Sequence, residues 1–316
     1  MRRAIPLWAI WLAVVLLAAV FVFAGAGLDF DYVIPKRLLR LAAIAIGGVC
    51  VALSAIAFQT LSGNRILTPA VMGYEAVYLL WQALLLLLLG AQGQALLGVG
   101  GNFLVSIFLM LAYSWGLHHW LLRGSGSDLY RPLLLGLVLT MVIGSFTQFV
   151  QLRIAPGEFA VFQGLSYASF NRARPESLMV AVLALAAVCA TARKTLPVLD
   201  VLALGREQAI SLGVDHGRHT RRYLALIAIL VAVSTSLIGP TAFMGIFVAN
   251  TAYALAGSSR HRLTLPLGCA VAIGIFIAAQ LLVEHLFNYK TTVSILVNLV
   301  CGAYFLALTV RKRSST

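Results

Sequence analysis

Residues 38–61 read LLRLAAIAIGGVCVALSAIAFQTL. Only one charge, Arg40, and no proline interrupt the run. At 1.5 Å of rise per residue, a helix this long reaches across the ~30 Å hydrocarbon core of a bilayer. Small residues recur four apart, Ala43 with Gly47 and Gly48 with Ala52. In lipid such pairs let neighbouring backbones approach closely. The stretch predicts a spanning helix packed inside a bundle.

The rest of the chain repeats this pattern. Of 316 residues, 61% are hydrophobic and only 10% charged, too few charges to cover a soluble domain of that size. Further apolar runs lie at 6–26, 69–90, 95–122, 132–152, 176–196, 222–239, 241–257, 264–286 and 291–310. Together they predict an all-α polytopic membrane protein with about ten spans, a single transmembrane domain over residues 1–316. The first run follows Arg2-Arg3 as a signal peptide's would, but it is longer than a typical signal core and is expected to stay as the first span. Gly239-Pro240 divides the seventh run from the eighth. Proline lacks the N–H donor and clashes with the preceding turn, so a break or re-entry is expected there, giving nine or ten crossings. Residues 155–175 hold Pro156-Gly157 and several polar groups and predict a short segment outside the membrane. Gly268 with Ala272 and Gly274 with Ala278 repeat the small-residue spacing.

The net charge of +13 does not point to nucleic acid, because the basic residues sit in short gaps between apolar runs. With both termini placed in the cytoplasm, sixteen of the 23 Lys and Arg fall on that side, the bias of the positive-inside rule. The remaining cations, among them Lys36, Arg37, Arg40, Arg172, Arg174 and Lys290, fall outside and need another reason.

The longest polar gap, 193–221, reads RKTLPVLDVLALGREQAISLGVDHGRHTR. Leu199, Leu202, Leu204, Ala209, Ile210 and Leu212 keep an amphipathic rhythm, and Gly205 and Gly213 punctuate it as C-terminal caps would. Two short surface helices are expected. Their apolar residues suit either a docked partner or lipid headgroups.

No motif supports catalysis. The chain lacks G-x-x-x-x-G-K-[ST], H-E-x-x-H and G-x-S-x-G. His216 and His219 have metal-pair spacing without a further ligand nearby, and the four cysteines stand singly in apolar runs. Polar residues inside spans are costly in lipid and mark cavities or interhelical bonds. Gln59, Glu75, Thr147, Gln148 and Gln151 are therefore candidates for a translocation pathway.

Three segments carry a resemblance. PKRLLRLAAIAIGGVCVALSAIAFQTLSGNRILTPAVMGYEA at 35–76, LDVLALGREQAISLGVD at 199–215 and IGPTAFMGIFVAN at 238–250 resemble, in this order, the FecCD-type permeases of ABC importers for vitamin B12 and iron chelates. NRILTPAVMGYEA and ASFNR at 168–172 are similar to the narrower subgroup of paired ferric-siderophore permeases. The chain departs from many members at Thr68, where they have Asp, and at Ala249-Asn250, where they have Pro-His. The resemblance implies a type II ABC importer permease bundle in the bacterial inner membrane. A periplasmic binding protein would dock on Arg37 and Arg40, with Lys290 added by position alone. A separate ATPase dimer would receive the coupling segment 199–215 through Leu202, Leu204, Gly205, Arg206, Glu207, Leu212 and Gly213. ATP and Mg would lie on that partner, with no cofactor on this chain. A second, different but similar permease chain would complete the pathway. The competing reading is a secondary transporter or channel acting without an ATPase. It would need proton-relay carboxylates at mid-depth, for which Glu75 is a thin basis.

Overall fold

The computed structural model describes residues 6–24, 30–122, 130–241 and 243–313, and every regular element among them is helical. In chain order these are α1 (Leu7–Phe23), α2 (Val33–Ser62), α3 (Tyr74–Leu122), α4 (Tyr130–Gln151), α5 (Pro156–Ser166), α6 (Pro175–Arg193), α7 (Leu196–Leu202), α8 (Arg206–Ser211), α9 (His216–Ile238), α10 (Met244–Ala256), α11 (His261–Leu281) and α12 (Val293–Arg313). A π turn over Leu282–Leu286 extends α11. Six segments are long and apolar enough to cross a membrane, and Leu7–Phe23, Tyr74–Gly90, Met244–Ala256 and Val293–Tyr304 are shorter apolar helices. These account for each of the ten apolar runs. α3 covers two of them, because Gly90 (φ 60°) and Gly98 (φ 63°) leave helical geometry between its halves. Segment 155–175 holds the eleven-residue α5 and a 3₁₀ turn, as expected of a piece too short to span.

The eighth apolar run forms a half-length helix, the re-entry alternative expected at Gly239-Pro240. α10 has 13 residues, about 20 Å of helix, which cannot cross the core alone. α9 stops at Gly239 with φ 96°, and the chain turns back through Pro240 into α10. Asn250 Nδ2 then donates to Arg65 O at 3.0 Å, so α10 returns toward the turn that follows α2.

α2 is the centre of the bundle, with 72% of its most apolar window buried. Its small residues explain why. A Cβ on Gly47 would sit 2.7 Å from Ile238 Cδ1 of α9, and one on Gly48 would sit 3.2 Å from the Ile273 backbone N of α11. Gly268 repeats the device from the other side, 2.5 Å from Ile56 Cδ1. α2 is thus held between α9 and α11 by backbone-close contacts, as the spacing of small residues predicts.

The two ends of the bundle differ. At one end the start of α2 meets the C-terminus of α1 and the π turn after α11. At the other, α7 and α8 fold against the starts of α9 and α11.

Candidate coupling, docking and pathway sites

The α7–α8 elbow forms because it has two faces. Leu199, Leu202 and Ala209 are buried against Tyr223, Leu224 and Ile227 of α9. Each buried leucine is worth about 1.5–3 kcal/mol, enough to hold two helices too short to persist alone. Leu204, Ile210 and Leu212 point away, each more than half exposed, beside exposed Arg206 and Glu207. Leu202 is therefore a correction. It is 3% exposed and fastens the elbow to the bundle, while Ile210 takes its place on the free surface.

The glycines divide their roles. Gly213 (φ 80°) sits just past α8, where its N–H donates to Ile210 O and the Val214 N–H to Ala209 O. This is the six-to-one and five-to-two pair of a Schellman cap, as predicted. Gly205 (φ 98°) is not a C-terminal cap. It is the N-cap of α8, three residues beyond the end of α7.

One cluster escaped the sequence reading. Asp200 Oδ1 accepts the His261 backbone N–H at 2.9 Å and contacts the His261 ring Nδ1 at 2.5 Å. The opposite ring nitrogen meets Thr60 Oγ1 at 2.8 Å. Asp200 lies on α7, His261 begins α11 and Thr60 ends α2, so one side chain joins the elbow to the two central helices. Partial burial alone would raise the Asp200 carboxyl, but the bonds from the His261 backbone and ring outweigh it and hold the group below the usual carboxylate value. Tyr223 adds a second tie, its hydroxyl donating to Thr195 O at 2.8 Å.

At the opposite end Arg37 and Arg40 share one carboxylate. Arg40 Nη1 lies 3.0 Å from Glu284 Oε1 and Arg37 Nη2 lies 4.0 Å from Glu284 Oε2. Gln280 Nε2 also donates to Glu284, at 2.9 Å. Arg37 Nη1 donates to Phe21 O at 3.0 Å, to Val22 O at 3.3 Å and to Ala24 O at 2.5 Å. These are the carbonyls a helix leaves unpaired at its C-terminus, so Arg37 caps α1. Two arginines against one carboxylate leave a net positive end, and the exposed Lys290 adds to it from the turn after the π segment. Glu284 was missed because it lies at the end of an apolar run, where a carboxylate passes for an interfacial residue.

The polar candidates inside spans separate. Gln59 is 3% exposed, and its Nε2 donates to Arg65 O at 2.8 Å. Thr147 is equally buried and its hydroxyl donates to Ile143 O within α4 at 2.8 Å. Gln148 is exposed on the same face of α4 as Met141, Ser145 and Leu152, and Gln151 is half-buried near the helix end. Glu75 lies in the first turn of α3 and accepts the Thr241 N–H at 2.9 Å. Gln59 bonds to the turn after α2 through Nε2 while its buried Oε1 has no partner among the described residues, Thr147 bonds within α4, Glu75 holds the turn before α10, and Gln148 stands on an open face. Among the described residues no group of three His, Cys, Asp or Glu could hold a metal ion.

Comparison with known proteins agrees with this geometry. The model of the FecCD transport family matches residues 5–311. The petrobactin import system permease protein YclO of Bacillus subtilis is 33% identical over 295 residues, covering 93% of each chain. The petrobactin import system permease protein FatC of Bacillus anthracis is 31% identical over 316 residues, covering 96% of this chain and 89% of that one. A solved inward-facing structure of a metal-chelate type ABC transporter superposes with a TM-score of 0.84 at 18% identity, covering 96% of this chain and 98% of that one. The fold, the near-complete family match and the two full-length relatives lead to one conclusion: the chain belongs to the FecCD transport family, as a permease subunit of the ABC-importer class.

Proposed function

We propose that this chain is one of two permease subunits of an ATP-driven importer that carries a ferric siderophore or a related iron chelate across a bacterial inner membrane. The observation that carries the reading is the α7–α8 elbow. It exposes Leu204, Ile210 and Leu212 in one small patch while its other face is clipped to α2, α9 and α11. An apolar patch on a rigidly tied elbow suits a protein partner that must pull on the bundle. The partner is a separate ATPase dimer, which holds ATP and Mg, and its closure would move the elbow and switch the access of the pathway. The elbow end, rich in arginine, is cytoplasmic, as are both termini.

The Arg37 end receives a periplasmic binding protein. Its charge excess steers acidic side chains of that partner, an effect that acts mainly on association rate and orientation. The open face of α4, with Gln148 and Ser145 among exposed apolar residues, meets a second, similar but different permease chain, and the chelate passes between the two. The substrate class rests on the petrobactin relatives together with the NRILTPAVMGYEA and ASFNR segments.

The test is a mild-detergent purification of the tagged chain from its native membrane, followed by identification of what comes with it. A P-loop ATPase and a second permease are the expected companions. A lone chain, active in proteoliposomes without ATP, would overturn the reading in favour of a secondary transporter.

A further inference from the structure

One wide groove in the described fold has no part in that scheme. It measures about 560 Å³ and lies between the second half of α3 and the first half of α9. Its floor is apolar, formed by Leu111, Ala228 and Ile229. Its mouth, at the elbow end, is formed by His118, His119 and Arg221. His118 and Leu111 lie two turns apart on one helix face, so the cationic mouth and apolar floor are separated by about 10 Å. No carboxylate lines the groove among the described residues.

The polar groups at the mouth are only partly used. His118 Nδ1 lies 2.6 Å from Ser114 O. A carbonyl only accepts, so Nδ1 carries the proton and the neutral ring offers a lone pair at Nε2. That Nε2 is buried without a hydrogen-bond partner. Arg221 Nε donates to Gly217 O at 3.3 Å, and its terminal nitrogens make no bond among the described residues. Trp115 is 69% exposed and stacks on His119 with ring centroids 5.0 Å apart. Tryptophan at such a position belongs to the membrane–water boundary, so the groove opens sideways, toward lipid.

We infer that this groove holds one anionic phospholipid. The phosphate sits on the Arg221 guanidinium at the exposed mouth, and an acyl chain lies along Leu111, Ala228 and Ile229. Charge complementarity selects the anionic headgroup, and the apolar floor selects a lipid over a free anion.

Native mass spectrometry of the complete importer, purified in mild detergent and titrated with phosphatidylglycerol or phosphatidylcholine, tests this. The intact assembly should retain phosphatidylglycerol at least tenfold more tightly than phosphatidylcholine. Arg221→Ala should abolish that preference and Arg221→Lys should keep most of it. Arg222→Ala is the control, since Arg222 Nη2 donates to Thr191 O, away from the groove. Equal retention by wild type and Arg221→Ala would overturn the inference. So would equal loss in Arg221→Ala and Arg222→Ala, which would mean diffuse surface attraction. Separation of the permease pair in Arg221→Ala would place a protein in the groove and overturn it as well.

Discussion

Glu75 Oε1 accepts the Thr241 backbone N–H at 2.9 Å, across 166 positions of sequence. Glu75 opens α3 and Thr241 lies in the turn before α10, so one carboxylate ties the start of α3 to that turn. Helix N-termini carry unpaired N–H groups and partial positive charge, which favour a carboxylate there. Glu75→Gln should keep the hydrogen bond and most of the uptake. Glu75→Ala leaves a part-buried N–H unpaired and should lower stability by about 1 kcal/mol. Thermal unfolding in detergent, alongside uptake in vesicles, separates the cases. Complete loss of transport in a stably folded Glu75→Gln would instead assign the charge to the pathway.

Gly47 marks one of the close approaches in the bundle. A Cβ there meets Ile238 Cδ1 at 2.7 Å. Gly47→Leu should cost about 1–3 kcal/mol through overpacking, while Gly302→Leu on α12, where a Cβ meets nothing within 4 Å, should cost little. Paired melting curves check this, and equal losses would deny the α2–α9 contact its importance.

Asp200→Asn should loosen the elbow without unfolding the bundle. The expected result is ATP hydrolysis that continues while uptake falls several-fold. The pH sign follows from the depressed Asp200 value. The carboxylate's contribution is complete above the ordinary value of about 4 and is lost only as pH falls through the lower folded value. Coupling should therefore not respond to Asp200 between about pH 5 and 8. The pH dependence of the uptake-to-hydrolysis ratio, in wild type and Asp200→Asn, tests it.

Gly205 and Gly213 both hold positive φ, at 98° and 80°. A β-branched residue is strained there. Valine at both positions should distort the free face of the elbow and weaken ATPase co-purification markedly. Normal coupled uptake in the double variant would remove the elbow from the coupling role.

Arg40→Glu is the cleaner test of docking, because Arg37 also caps α1. Arg40→Glu should slow binding-protein association several-fold and flatten its salt dependence. Arg37→Glu should do the same; both reversals set a carboxylate against Glu284 and should lower stability, Arg37→Glu the more because it also uncaps α1. Unchanged association kinetics in Arg40→Glu would leave the arginines a purely structural role beside Glu284.

The membrane class, the positions of the apolar helices and the break at Gly239-Pro240 were legible because lipid imposes long uninterrupted apolar runs and proline cannot continue a helix. The elbow was legible from its amphipathic rhythm, and Gly213 from cap chemistry. Rhythm alone did not say which leucines face the bundle, so Leu202 was placed on the wrong side and Gly205 on the wrong helix. Local pattern specifies a helix's two faces but not the neighbour each one meets.

Composition and spacing alone determined that this chain is a bundle of spanning helices with small residues at their contacts and a basic elbow at one end. Those properties follow from the solvent, since hydrocarbon penalises every exposed polar group wherever it lies in the chain. Only the tertiary structure decided that Asp200 meets His261, that Glu284 answers Arg37 and Arg40, and that Glu75 binds the turn before α10, far away in sequence. Each is a single polar contact between distant segments. No periodicity announces such a contact, because its partner is chosen by how the helices pack.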